Sequence, residues 1–63
     1  MPVFRYKCLR EGGGCGQVFK DSRPLHDRHG TMCPNCMNYG GESFRDPATG
    51  RARRKIEIVP QST

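Results

Sequence analysis

A chain of 63 residues holds one domain at most, and Ile, Leu, Val and Phe supply only ten of its residues, about 16%, which excludes a fold held by a hydrophobic core alone. Eleven Lys and Arg against six Asp and Glu leave +5 at neutral pH, a mildly basic balance that permits an anionic partner without demanding one. No apolar run reaches membrane-spanning length, and "MPVFRYK" turns charged at Arg5 before a secretion signal can form, so the sequence predicts a cytoplasmic protein whose four cysteines are reduced.

In chain order, "PVFRYKC" alternates, with Phe4, Tyr6 and Cys8 on one side and Val3, Arg5 and Lys7 on the other. That is the period of a half-exposed strand. "GQVFK" (16–20) reads as a second short strand, joined to the first by a glycine-rich turn that carries Cys8 and Cys15. The polar stretch "DSRPLHDRHGT" (21–31) has no periodicity and is expected to be a loop with at most one irregular turn. "CPNC", Cys33 to Cys36, is a tight knuckle. "DPATG" (46–50) combines Pro, which presets φ, with Gly, which tolerates positive φ. It predicts a basic C-terminal hairpin with strands over 42–45 and 52–59, ended by Pro60. The expected core is Phe4, Tyr6, Phe19, Phe44, Ile56 and Ile58, within one domain spanning 1–60 and followed by a flexible tail over 61–63.

Cys8, Cys15, Cys33 and Cys36 form the constellation that carries chemistry. Four thiolates close a tetrahedron around zinc, and a tight turn after the first cysteine of a pair aims backbone amides at its sulfur. Seventeen residues separate the two pairs, within the range of paired-cysteine zinc sites. The first pair is unusual, because "LREGGG" puts six residues where two are ordinary. Closing the wider loop costs on the order of 1 kcal/mol more, against roughly 10–16 kcal/mol of apparent zinc-binding free energy. The metal site survives the insertion. The expected fold class is thus a small metal-stabilised β domain, a zinc ribbon with rubredoxin-like knuckles and short antiparallel hairpins.

"MPVFRYKC", "CGQVF" and "CPNC" together resemble the FmdB-type zinc ribbon family, over about residues 1–36. The resemblance implies that Cys8 and Cys15 are the first two ligands and Cys33 and Cys36 the second two. The chain departs from the family in its four-residue insertion, which leaves "REGGG" to bulge outward, and in Met37, where the family has Gly after the fourth cysteine. The resemblance implies zinc and fold, with a regulatory role attached.

Other metal readings remain. Four thiolates also suit iron in a rubredoxin-like electron carrier, and of His26 and His29, which lie just before the second knuckle, His29 could replace one cysteine as a ligand. A catalytic site needs an open metal position or a nucleophile with its base, and neither stands out, so an enzyme is not expected. The one charge cluster is "RARRK". Arg51, Arg53, Arg54 and Lys55 are candidate contacts to nucleic acid or to a nucleoprotein complex, with Arg5, Lys7 and Arg10 adding to them; the competing view is a solvated strand edge guarded by its own charge. Phe4, Tyr6 and Tyr39 could stack on bases, but so small a core needs them inside. The expected function is binding: an accessory or regulatory module on nucleic acid, or a protein adaptor docked on a larger machine such as RNA polymerase through its strands or its glycine bulge.

Overall fold

The strand Val3–Cys8 (β1) forms because every second side chain has somewhere apolar to go. Tyr6 and Cys8 are fully buried and Phe4 half-buried, while Val3 and Lys7 are exposed. A computed structural model describes residues 2–60, so the tail expected over 61–63 lies outside the described residues. Val18–Ser22 (β2) pairs antiparallel with β1 and sets Phe19 opposite Tyr6. Their rings stack with centroids 5.4 Å apart, and Phe4 meets Tyr6 edge-on at 6.2 Å, geometries that add to simple area burial.

The C-terminal segment does not form the single long strand expected over 52–59. Ser43–Arg45 (β3) pairs with Ala52–Arg54 (β4) across the predicted turn. The chain then changes sheets, and Ile56–Val59 (β5) pairs with the far side of β1. Lys55 makes the change: its N–H donates to the Glu42 carbonyl at 3.0 Å and its carbonyl accepts from the Leu9 N–H at 3.0 Å. The result is a three-stranded sheet ordered β2-β1-β5 beside a two-stranded one. The expected hairpin exists, but half of its second strand belongs to the sheet that carries Cys8. No helix among the described residues is long and apolar enough to cross a membrane.

The core gathers where the two ends meet. Tyr6, Cys8, Cys33 and Ile56 are buried together, flanked by Phe4, Cys15, Phe19 and Ile58. Phe44, expected among them, instead covers Gly12 in the first knuckle, where an added Cβ would stand 2.9 Å from its ring. Leu9 is buried although strand alternation would turn it outward; β1 ends at Cys8, so Leu9 is released from the pleat and turns in. Thr31 is buried with its hydroxyl donating to Asp21 at 2.8 Å. The polar 21–31 stretch contains the short 3-10 turn Leu25–Asp27 and is tethered from below, since Tyr6 donates its hydroxyl to the Arg28 carbonyl at 2.7 Å.

That tether is testable. Tyr6→Phe keeps the ring stack but leaves the carbonyl without its donor, and should cost about 1–2 kcal/mol. Chemical denaturation of the metal-loaded protein measures it, and an unchanged midpoint would show that water replaces the hydroxyl.

Candidate metal centre

Each pair of cysteines sits on a turn at the end of a ladder. Cys8 closes β1, and its N–H donates to the Gln17 carbonyl at 2.9 Å, just before β2. In the second knuckle Cys33 N–H donates to the Asn38 carbonyl at 2.9 Å, Met37 N–H donates back to the Cys33 carbonyl at 2.9 Å, and Met32 bridges to Tyr39 outside them. Both knuckles reverse through a left-handed residue directly after their second cysteine: Gly16 at φ 80° and Met37 at φ 65°. Gly adopts that conformation without cost, whereas Met holds it against steric strain.

The four sulfurs converge. All lie within 4.8 Å of one another, with Cys8 to Cys36 at 3.3 Å and Cys15 to Cys33 at 3.6 Å. A tetrahedron with metal–sulfur bonds of about 2.3 Å has edges of about 3.8 Å, so the cluster has the size and donor set for one ion. The separations are far beyond a disulfide bond, and all four thiols are free. Cys8 and Cys33 are buried, Cys15 is half-buried and Cys36 is exposed, so one edge of the cluster faces solvent.

Electrostatics divide the thiols. Burial pushes Cys8 up to about 12, despite the Cys15 amide directed at it. Cys15 is lowered to about 6, first by the Asn35 side chain and then by the Gln17 amide. Cys36 is lowered too, first by the Asn38 amide and then by its contact with Cys8. The amide two residues beyond the second cysteine thus serves that sulfur in both knuckles. Asn38 also places its side-chain nitrogen 3.8 Å from the Cys8 sulfur. Cys15 is held ready as an anion and Cys36 is shifted in the same direction, while Cys8 needs a cation in place of its proton.

The glycine-rich gap is an ordered turn whose Arg10, Glu11 and Gly13 are exposed while Gly12 and Gly14 are half-buried. Arg10–Gly12 forms a 3-10 turn, and Gly13 and Gly14 return N–H groups to the Arg10 and Leu9 carbonyls at 3.0 and 2.9 Å. Its three glycines have three different reasons. Gly12 lies under Phe44, and Gly13 takes φ 85° in open space. Gly14 passes so close to the site that a Cβ would collide with the Cys8 sulfur and stand 2.7 Å from the Leu9 carbonyl. Asn35, Asn38 and Gly14 escaped sequence reasoning as functional positions. Only their offsets from the cysteines, one residue before the fourth, two past the fourth and one before the second, could have signalled them.

Neither His26 nor His29 belongs to the cluster. His29 lines a shallow groove of about 290 Å³ with Leu9, Arg53, Arg54, Ile56, Glu57 and Ile58; burial first, then Arg54 and Arg28, holds its pKa below the usual histidine range. The basic run is split by function. Arg53 reaches Asp46 at 2.8 Å, Glu11 at 3.5 Å and Glu57 at 3.9 Å, and Lys55 reaches Glu42 at 3.2 Å. Among the described residues, Arg51 and Arg54 make no such pair. Of the aromatics considered for stacking, Tyr6 is buried, Phe4 is half-buried, and Tyr39 is exposed beside Gly41.

Comparison with protein-family models, with curated proteins and with solved structures gave no match. Function therefore rests on the geometry.

Two predictions follow from the sulfur geometry. Gly14→Ala should weaken metal affinity at least about tenfold by displacing Cys8, whereas Gly13→Ala should cost about 1–2 kcal/mol of stability and leave metal stoichiometry unchanged; chelator competition and thermal melts separate the two. Metal binding should also release protons. Burial opposes the charge on Cys8, which it pushes up to about 12, so Cys8 must give up a proton to the ion and affinity should fall at least about tenfold per pH unit on acidification through neutral pH. A pH-independent affinity would show that Cys8 is not a ligand.

Proposed function

We propose that the chain is a zinc ribbon in which one structural zinc, held by Cys8, Cys15, Cys33 and Cys36, stabilises a surface for contact with nucleic acid or a nucleoprotein complex. The observation that carries this reading is the closed set of four converging thiols. Four thiolates fill a tetrahedral ion and leave no position for substrate or water, so the domain works by binding and not by catalysis. The site's reduced thiols suit a cytoplasmic setting. Zinc is favoured over a rubredoxin-like iron because the aromatic core is limited to Phe4, Tyr6 and Phe19 on one side of the cluster. The left-handed backbone at Met37 supports the FmdB-type resemblance, since that is the position where the family has Gly.

A second reading, a protein adaptor, has an observation of its own. Met32, Met37 and Tyr39 are 47%, 66% and 43% exposed around the second knuckle, an apolar rim suited to a protein surface. Of the glycine gap, Arg10, Glu11 and Gly13 are exposed and available for contact, while Gly12 and Gly14 pack against Phe44 and the Cys8 sulfur.

Elemental analysis of protein from zinc- and iron-containing medium should give one zinc per chain and a colourless sample. Stripping the ion with a chelator should collapse the dispersed amide NMR spectrum, and returning zinc should restore it. Red, iron-loaded protein, or a spectrum indifferent to chelation, would overturn the assignment.

A further inference from the structure

The three-stranded sheet segregates its charges by face. Cys8 N–H donates to Gln17 and Leu9 N–H donates to Lys55, so even-numbered residues of β1 bond to β2 and odd-numbered ones to β5. The even side chains Phe4, Tyr6 and Cys8 point to the core. The odd ones point away, and register places Arg5 between Lys20 and Val59, and Lys7 between Val18 and Glu57. Arg5 and Lys20 therefore face each other at a non-hydrogen-bonded position, where side chains come closest and like charges repel.

Nothing within the sheet answers that charge. Arg5, Lys7 and Lys20 make no ion pair among the described residues. Glu57, the one acid on this face, lies 3.9 Å from Arg53. The acid of β2, Asp21, sits on the opposite face and accepts from Thr31. What remains is three cations on a rigid, solvent-facing surface beside exposed Val3 and Val18, with no aromatic side chain among them.

We infer that this outer sheet face, through Arg5, Lys7 and Lys20, binds the phosphodiester backbone of single-stranded nucleic acid. The inference rests on the reading of the domain as a nucleic-acid-contacting module, and it moves the contact from the basic run at 51–55 to the metal-bearing sheet. Arg5 and Lys7 are about 7 Å apart along the strand, a spacing that lets one extended strand meet both. Lys20 broadens the row across the sheet. Without stacking platforms or base-edge readers the face follows the backbone and is indifferent to sequence.

The test is fluorescence anisotropy of zinc-loaded protein with labelled mixed-sequence single-stranded DNA and RNA, across a salt series. Three phosphate contacts give a log–log salt slope of about −2. The triple variant Arg5→Gln, Lys7→Gln, Lys20→Gln should flatten that slope and weaken binding at least about tenfold, while Arg51→Gln with Arg54→Gln should change affinity less than about threefold. The triple variant should melt at or above the parent temperature, because it relieves the Arg5–Lys20 repulsion. A lower melting temperature would show that these cations serve the fold, and overturns the inference. Wild-type binding whose loss follows Arg51 and Arg54 overturns the sheet face alone. Absence of any wild-type binding at low salt overturns the nucleic-acid reading itself.

Discussion

Convergence of four sulfurs at one point is the constraint around which the rest of this chain is arranged. Two of the four fully buried members of its core are cysteines, and the other two, Tyr6 and Ile56, pack directly against them. Free thiols there offer little attraction to one another, and burial opposes the charge that Cys8 must carry. A divalent ion reverses both terms by replacing protons and drawing the sulfurs together. The pairing of β1 with β2 and with β5 ends at that point, so an ion bound there would fix the register on which the outward-facing residues depend.

The basic run shows how thoroughly such a small domain uses its charges internally. Arg53 connects Asp46 of its own hairpin, Glu11 of the first-knuckle turn and Glu57 of β5. Exposed pairs of this kind contribute little individually, about 0–1 kcal/mol. Asp46 differs because its side chain is only 7% exposed, and its carboxyl is held below its ordinary pKa chiefly by Arg53. Removing that guanidinium would leave a nearly buried carboxylate without its main partner. Together with Phe44 over Gly12 and Lys55 between Glu42 and Leu9, this contact fastens the second sheet to the metal site. The enlarged knuckle is therefore a docking platform for the hairpin.

Much of this was legible in the residues. Alternation in β1, the "CPNC" knuckle and the "DPATG" turn each rest on local chemistry, and local chemistry is what a sequence displays. The strand break at Lys55 was hidden because Ala52 to Val59 is uniformly compatible with extended backbone; which half pairs with which strand is set by the distant Leu9 and Glu42. The burial of Leu9 depends on β1 stopping at Cys8, a tertiary fact. The glycine run was ambiguous for a related reason. Positive φ explains Gly13 alone, whereas Gly12 and Gly14 answer to a ring and a sulfur brought near by folding. In "RARRK" composition showed charge, but the carboxylates that meet Arg53 come from residues 11, 46 and 57, and no periodicity connects them.

One strand joins the candidate metal site to the outer face of the sheet. The even side chains of β1 end in the metal cluster, and its odd ones form the cationic row, so a single backbone couples ion binding to surface geometry. A flexible basic tail must give up its conformational freedom each time it meets a polyanion. Here the freedom is already lost in assembling the sheet, and the mutual repulsion of Arg5 and Lys20 is held in place by a register closed at the metal end. An opposing anion relieves that repulsion without reorganising the fold. On the proposed reading, an ion held by the four cysteines would keep like charges together on a surface that would otherwise let them separate.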